Sequence, residues 1–92
     1  MPANGSPEVM LTVNAKFIAS ELVPGLCSGE YEVEEGSTIR GLLAICEKQS
    51  GSVVPEKNFK YMYPLFNGRP VSLDSEINQS GTLHLCRVVS GG

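Results

Sequence analysis

The sequence predicts an α+β domain in which one main helix covers a sheet of four to five strands, with the elements in the order ββαβββ. Three observations predict this class. The chain has 92 residues, of which 41% are apolar, and this suffices for one core and one domain. Strand-like alternation of apolar and polar residues lies on both sides of a single helix-like stretch. The turn dipeptide Asn67-Gly68 then separates two strands after the helix.

The first two strands are predicted from period-two alternation. Apolar residues occupy every second position from Val9 to Phe17, as expected for a strand with one buried face. After Gly29, Tyr31 and Val33 alternate with glutamates at positions 30, 32 and 34, which predicts a second, short strand. We interpret these glutamates as a solvated face that protects a sheet edge from pairing with other chains. Docking of a partner on them is the alternative.

A helix is predicted to follow Ser37 and Thr38, whose hydroxyls can accept hydrogen bonds from the amides of the first turn. Apolar residues then recur at the spacing of one helical stripe, and we expect them to face the core: Ile39, Leu42, Leu43 and Cys46. Gly51 is placed to end the helix in the left-handed conformation.

The second half of the chain predicts a hairpin and a last strand. A polar connection from Ser52 to Lys60 leads to a strand over Tyr61–Phe66, and Asn67-Gly68 suits a type I′ turn because both of its positions need a positive φ. Pro64 lacks the amide hydrogen of a ladder, so we expect a bulge or an unpaired edge there. Leu73–Gly81 is predicted to be a loop, with one helical turn near Asp74.

The final strand is predicted over Thr82–Cys86, with Leu83 and Leu85 directed into the core and His84 and Cys86 directed outward. His84 is the only histidine in the chain, and no positioned nucleophile is implied by its spacing. We therefore interpret it as a surface residue of the sheet, with a place in a partner interface as the next possibility.

Charge and composition exclude several classes of function. The net charge is −3 and the basic residues are scattered, so no nucleic acid is expected as a partner. There is no apolar stretch of membrane-spanning length and no signal peptide, which predicts no membrane partner and a cytoplasmic location. The three cysteines are widely spaced, which favours reduced structural thiols over disulfides or a metal site.

The chain ends in Gly91-Gly92 after a short segment of Arg87, Val88, Val89 and Ser90. Two terminal glycines can arise by chance, and termini are often disordered. A glycine carboxylate without a Cβ beside it can, however, enter a narrow tunnel of another protein. There it could be activated at the α-phosphate of ATP.

Three segments are distinctive in their order and spacing: Gly36-Ser37-Thr38-Ile39-Arg40-Gly41-Leu42-Leu43, Asn67-Gly68-Arg69-Pro70-Val71 and Val89-Ser90-Gly91-Gly92. With the element order, they resemble the MoaD/ThiS family of ubiquitin-like sulfur carriers, which includes the small subunit of molybdopterin synthase. The resemblance implies a β-grasp (ubiquitin-like) fold with a mixed sheet. The composition before Val9, rich in proline, glycine and polar residues, separately predicts a flexible leader at 1–8. The folded domain is then expected at 9–87 and a flexible Gly-Gly tail at 88–92.

The resemblance also implies a function in which the chain carries a reactive atom and binds no cofactor itself. Gly92, next to Gly91, would be adenylated by an enzyme related to ubiquitin-activating enzymes, which uses ATP and magnesium. A persulfide donor would convert it to a thiocarboxylate, and an acceptor such as the molybdopterin synthase large subunit would take the sulfur. Thiazole or amino-acid pathways are the next choices.

The same resemblance implies which residues bind these partners. The stalk is expected to thread the tunnel of the activating enzyme, and the outward residues of the last strand are expected to help dock partners: Val88, Val89, Ser90 and Arg87 in the stalk, and His84 and Cys86 on the strand. Two alternatives remain open, a protein modifier conjugated through Gly92 and a β-grasp interaction domain with no chemistry at its end.

Overall fold

The computed structural model describes residues 9–88, so the predicted leader at 1–8 lies outside the described residues. The described chain forms five strands, β1 (Met10–Phe17), β2 (Gly29–Glu34), β3 (Met62–Phe66), β4 (Arg69–Pro70) and β5 (Gly81–Arg87), and one α-helix, α1 (Ile39–Ser50). The strands lie in the order β2-β1-β5-β3-β4. The pairing of β1 with β5 is parallel, and every other pairing is antiparallel. The predicted mixed sheet, helix and ββαβββ order are confirmed.

One face of the sheet and one stripe of α1 form the core. The stripe predicted from the sequence is buried in full, since Ile39, Leu42, Leu43 and Cys46 are each at most 2% exposed. The strands contribute alternate residues, which include Val13, Ala15, Tyr31, Val33, Leu83 and Leu85. Each fully buried aliphatic side chain stabilises the fold by about 1.5–3 kcal/mol, so this single layer of contacts holds the helix on the sheet.

Both ends of α1 are capped as predicted. The Thr38 hydroxyl accepts a hydrogen bond from the Gly41 amide at 3.0 Å, which satisfies one of the unpaired amides of the first turn. Gly51 ends the helix with φ of 74° and ψ of 17°, and its amide donates to the Glu47 carbonyl at 2.9 Å. The left-handed conformation costs glycine little because it has no Cβ.

The turn predicted near Asp74 is present as a single hydrogen-bonded turn, in which the Ser75 amide donates to Ser72 O at 3.1 Å. It does not extend into a helix, and Leu73 O and Ser75 O accept from the amides of Arg40 (2.8 Å) and Ile39 (3.0 Å) at the start of α1. The Ile77 amide donates to Ser37 O at 2.6 Å. The bonds to Ile39 and Arg40 satisfy helix amides that have no partner within the helix, so the loop before β5 caps the start of α1.

Pro64 causes no bulge in the ladder with β5. The register runs without interruption from Met62↔Arg87 to Phe66↔Leu83. The Asn67 amide donates to Thr82 O at 2.9 Å, and antiparallel alternation then places Pro64 at a position that does not bond to β5. Its nitrogen faces β4, which is only two residues long. The predicted bulge is wrong. On the β4 side the Pro64 carbonyl accepts from the Val71 amide at 3.1 Å, so the predicted unpaired edge is limited to the proline nitrogen.

The predicted turn between β3 and β4 is confirmed. Asn67 has φ of 53° and Gly68 has φ of 83°, the two positive values that a type I′ turn requires. The polar connection before β3 contains a 3-10 helix, Glu56–Tyr61, which the sequence analysis did not predict. The Asn58 side-chain amide donates to Leu22 O at 2.9 Å and holds this segment against the loop after β1.

Candidate functional site

The predicted site begins on β5, which lies in the middle of the sheet between β1 and β3. Leu83 and Leu85 are buried, whereas His84 and Cys86 are partly exposed on the opposite face. Because neighbouring side chains of a sheet alternate between its faces, the two predicted outward residues lie on the face that α1 leaves uncovered. This prediction from the alternation of residues 82–86 is confirmed.

Strand β3 extends the outward surface of β5. Tyr63 pairs with Cys86, and Leu65 pairs with His84, so their side chains lie side by side on one face. Tyr63 is 41% exposed and Leu65 is partly exposed. We call these four residues the docking face. Lys16 of β1 pairs with His84 from the other side and adds a positive charge at its border.

The docking face leads directly to the end of the described chain. The Val88 amide donates to Tyr61 O at 2.8 Å, so the hydrogen bonding of β5 with β3 continues one residue beyond the strand. Val88 is 42% exposed and Tyr61 is 50% exposed. The Lys60 ammonium lies 5.2 Å from the centre of the Tyr61 ring, within the range of a cation–π interaction.

Arg87, predicted to bind a partner, forms an ion pair with Glu21 of the short 3-10 helix Ser20–Leu22. Both side chains are more than half exposed, so the pair contributes little to stability. The other predicted stalk and reactive residues, Val89, Ser90, Gly91 and Gly92, lie outside the described residues. The structure therefore places His84, Cys86 and Arg87 in β5 and Val88 directly after it. Arg87 pairs with the buried Met62, so its side chain leaves the sheet on the opposite face from His84 and Cys86.

The sequence analysis missed three residues of this surface: Tyr61, Tyr63 and Leu65. In the structure Met62 and Pro64 are buried, so residues 61, 63 and 65 of the predicted strand face outward. Only the pairing of β3 with β5 shows that these side chains adjoin His84 and Cys86. That pairing joins residues about twenty positions apart, which alternation within one segment cannot reveal.

The remaining reactive groups are Cys46 and Cys27, which lie outside the docking face. Burial raises the pKa of the Cys46 thiol to about 11, which keeps it protonated and unreactive at neutral pH. Cys27 is exposed and carries no disulfide, and its carbonyl accepts a hydrogen bond from the Tyr31 hydroxyl at 2.5 Å.

Within residues 9–88, no group of three or more histidine, cysteine or acidic residues could hold a metal ion. In the same range, no helix is long and apolar enough to cross a membrane.

Sequence comparisons find no protein-family model and no curated protein that match the chain. Solved structures do match. A protein assigned as molybdopterin converting factor, subunit 1, from Pyrococcus furiosus superposes with a TM-score of 0.54 at 22% identity, over 86% of this chain and 99% of that one. The small archaeal modifier protein 1 (SAMP1) from Methanosarcina acetivorans gives 0.56 at 16% identity, over 91% and 99%.

A designed protein based on ubiquitin also superposes, with a TM-score of 0.58 at 22% identity, over 89% of this chain and 93% of that one. At sequence identities this low, the similarity describes the fold alone. The expectation drawn from the three sequence segments is thereby confirmed at that level: the chain has the ubiquitin-like β-grasp fold, similar to that of MoaD-type and SAMP1 proteins.

Proposed function

We propose that the chain is a ubiquitin-like carrier whose Gly92 carboxylate is activated by a partner enzyme and then carries sulfur as a thiocarboxylate. The observation that carries the proposal is the placement of the docking face. Its exposed side chains lie on the central strand and its neighbour and lead without interruption to Val88, four residues before Gly92. A partner bound there would have the end of the chain beside it.

The proposed chemistry takes place at the end of the chain and is catalysed by partners. A Gly92 carboxylate oxygen attacks the α-phosphorus of ATP and pyrophosphate leaves, which gives an acyl-adenylate. The magnesium and ATP are bound by the adenylating enzyme. A persulfide sulfur then attacks the acyl carbon and AMP leaves. Attack by a second thiol on the donor's inner sulfur forms a disulfide and releases the thiocarboxylate.

The terminal glycines suit this chemistry because a residue without Cβ allows close approach of the backbone. Val89 and Ser90 complete the stalk, and Arg87 lies at its base. We propose that the docking face binds the adenylating enzyme and then the sulfur acceptor, with molybdopterin biosynthesis as the first choice of pathway. The fold shared with molybdopterin converting factor, subunit 1, supports this choice.

Mass spectrometry of the C-terminal peptide tests the proposal. The protein is incubated with ATP, a sulfur source and extract from its own organism, and trypsin then cuts after Arg87 and releases residues 88–92. This peptide contains no methionine or cysteine, so replacement of a carboxyl oxygen by sulfur cannot be confused with side-chain oxidation. We expect the sulfur-bearing peptide, and an unchanged peptide in several extracts would contradict the proposal.

Two variants separate the end of the chain from the docking face. Gly92→Ala adds a methyl group at the reacting residue and should suppress activation without changing the melting temperature. Tyr63→Ala should raise the KM for adenylation about tenfold, because truncation of an interface aromatic typically costs at least 1 kcal/mol. Val53→Ala is the matched control, since Val53 is 78% exposed and lies outside the docking face. Equal KM values for Tyr63→Ala and Val53→Ala would refute the role of this face.

A protein modifier is the second candidate, and the fold shared with SAMP1 favours it. The same acyl-adenylate would then be attacked by a lysine amine, and an isopeptide bond would form with loss of AMP. Peptides that join Gly92 to lysines of other proteins would identify the modifier. Addition of one residue after Gly92 should abolish either activity, whereas an interaction domain would bind its partner unchanged.

A further inference from the structure

The edge of the sheet formed by β2 is unpaired, and it lies away from the docking face. In the described part of the chain, β2 pairs only with β1. The Glu35 amide donates to Val9 O at 2.8 Å, which fixes the alternation of the ladder. Residues 31 and 33 therefore bond to β1, while Glu30 and Glu32 direct their amides and carbonyls away from the sheet. These groups can pair with an added strand.

A depression of about 540 Å³ lies along the same edge, lined by Met10, Thr12, Glu30, Tyr31, Glu32 and Gln49. It combines residues of β1, β2 and α1, so it follows the edge rather than one face of the sheet. Met10 is 49% exposed and supplies an apolar surface. Because side chains of a strand alternate, an added strand would direct every second side chain toward the outer face beside Met10 and the two glutamates.

The charges of this edge select its occupant. The side chains of Glu30 and Glu32 are exposed, and neither takes part in an ion pair within residues 9–88. A second copy of β2 would place glutamates beside glutamates, and such like-charge pairs across strands are destabilising. Lysine or arginine at alternate positions of an incoming segment would form opposite-charge pairs instead.

We propose that β2 binds an extended segment of a partner protein that carries lysine or arginine at every second position, and that this segment joins the sheet as a further strand. Backbone hydrogen bonds to Glu30 and Glu32 supply affinity, and their carboxylates select the basic segment. Strand β1 separates β2 from β5, and neighbouring strands lie about 4.8 Å apart. This contact therefore uses no residue of the docking face.

Amide hydrogen exchange measured by NMR tests the proposal directly. The probe is the peptide Lys-Val-Lys-Val-Lys-Val-Lys, with Glu-Val-Glu-Val-Glu-Val-Glu as its charge-reversed control. In the free protein the amides of Glu30 and Glu32 exchange quickly, because they have no partner in the sheet. The basic probe should slow their exchange at least about tenfold, whereas the acidic peptide should leave it unchanged. Slowing confined to β3 and β5 would overturn the proposal.

Two double variants separate specific binding at β2 from general attraction between opposite charges. Glu30→Gln with Glu32→Gln should weaken binding of the basic probe about tenfold, since the double variant loses both opposite-charge pairs with the added strand. Glu56→Gln with Asp74→Asn is the matched control, because it removes the same charge from two other exposed residues. Equal weakening by both double variants would show that only net charge matters and would overturn the proposal.

Glu32→Pro removes the amide hydrogen that faces the edge and leaves the bonds of residues 31 and 33 to β1 in place. Binding of the basic probe should fall beyond the loss caused by Glu32→Gln alone, and the melting temperature of the free protein should confirm that the domain remains folded. Equal affinities of Glu32→Pro and Glu32→Gln would show that no strand is added. If Glu32→Pro unfolds the domain, the exchange rates of the wild-type amides decide the question.

Discussion

Burial of the Cys46 thiol should make the domain lose stability at alkaline pH. The side chain lies on the inner stripe of α1 and is 0% exposed. Desolvation, the main cause, raises the pKa of this thiol from 9.0 to about 11, although a hydrogen bond with Tyr31 lowers it in part. The folded domain therefore retains a proton that the unfolded chain releases between about pH 9 and pH 11.

The direction and size of the effect follow from proton linkage. In this window the native state binds more protons than the unfolded state, so the free energy of unfolding falls as the pH rises. The contribution is fully present below about pH 9 and is lost as the pH reaches about 11. A difference of two units corresponds to about 2–3 kcal/mol, of which about half is lost at pH 10. Burial also raises the pKa of Tyr31, which acts in the same direction.

Urea unfolding of the wild type and of Cys46→Ala between pH 7 and pH 11.5 measures this contribution. The variant should be less stable at neutral pH by about 1–2 kcal/mol because it leaves a small cavity. The two stability curves should approach each other above about pH 9 and cross between about pH 10 and pH 11, because the wild type alone loses the contribution of the Cys46 thiol and that loss exceeds the difference at neutral pH. A difference between the curves that stays constant to pH 11 would refute the argument.

Three further predictions concern caps and turns, and urea unfolding measures each. Thr38→Ala removes the acceptor of the Gly41 amide and should cost about 1 kcal/mol, whereas Thr38→Ser should cost little; equal losses would contradict the cap. Gly51→Ala should destabilise by about 1 kcal/mol because φ is positive there, while Gly41→Ala within the helix should stabilise by about 0.5–1 kcal/mol. Asn67→Ala also loses the bond from the Thr82 amide and should cost about 2 kcal/mol, more than Asn67→Asp.

Local patterns were sufficient to predict most of the fold. The stripe from Ile39 to Cys46, the cap at Thr38 and the turn at Asn67-Gly68 are each set by residues within one or two turns of one another. The bulge expected at Pro64 failed for a reason that no local pattern contains. Its missing amide matters only on the side where a partner strand bonds, and that side depends on the register between β3 and β5.

The candidate site was predictable in part for the same reason. The outward placement of His84 and Cys86 follows from alternation within β5. The contribution of Tyr63 and Leu65 depends on which strand lies beside β5. The segment near Asp74 forms only one hydrogen-bonded turn, and its carbonyls bond to the amides of Ile39 and Arg40. In both cases, pairing between distant segments decided the outcome.

The central position of β5 also constrains how the domain folds. Residues 10–34 can form the β1–β2 hairpin, and residues 62–70 can form the β3–β4 hairpin, before β5 is present. These two hairpins have no hydrogen bonds with each other in the sheet, because β5 lies between them. Its pairing with β1 joins residues nearly seventy positions apart, such as Val13 and Gly81, and such long-range contacts form late because they require closure of a long loop.

A consequence is that folding of the core and formation of the docking face are coupled. A molecule in which β5 has not inserted has neither a closed core nor an ordered docking face, because Leu83 and Leu85 belong to the first and His84 and Cys86 to the second. A partner that recognises this face would therefore select native molecules and pass over unfolded ones. The strand that completes the hydrophobic core thus also completes the surface that such a partner would recognise.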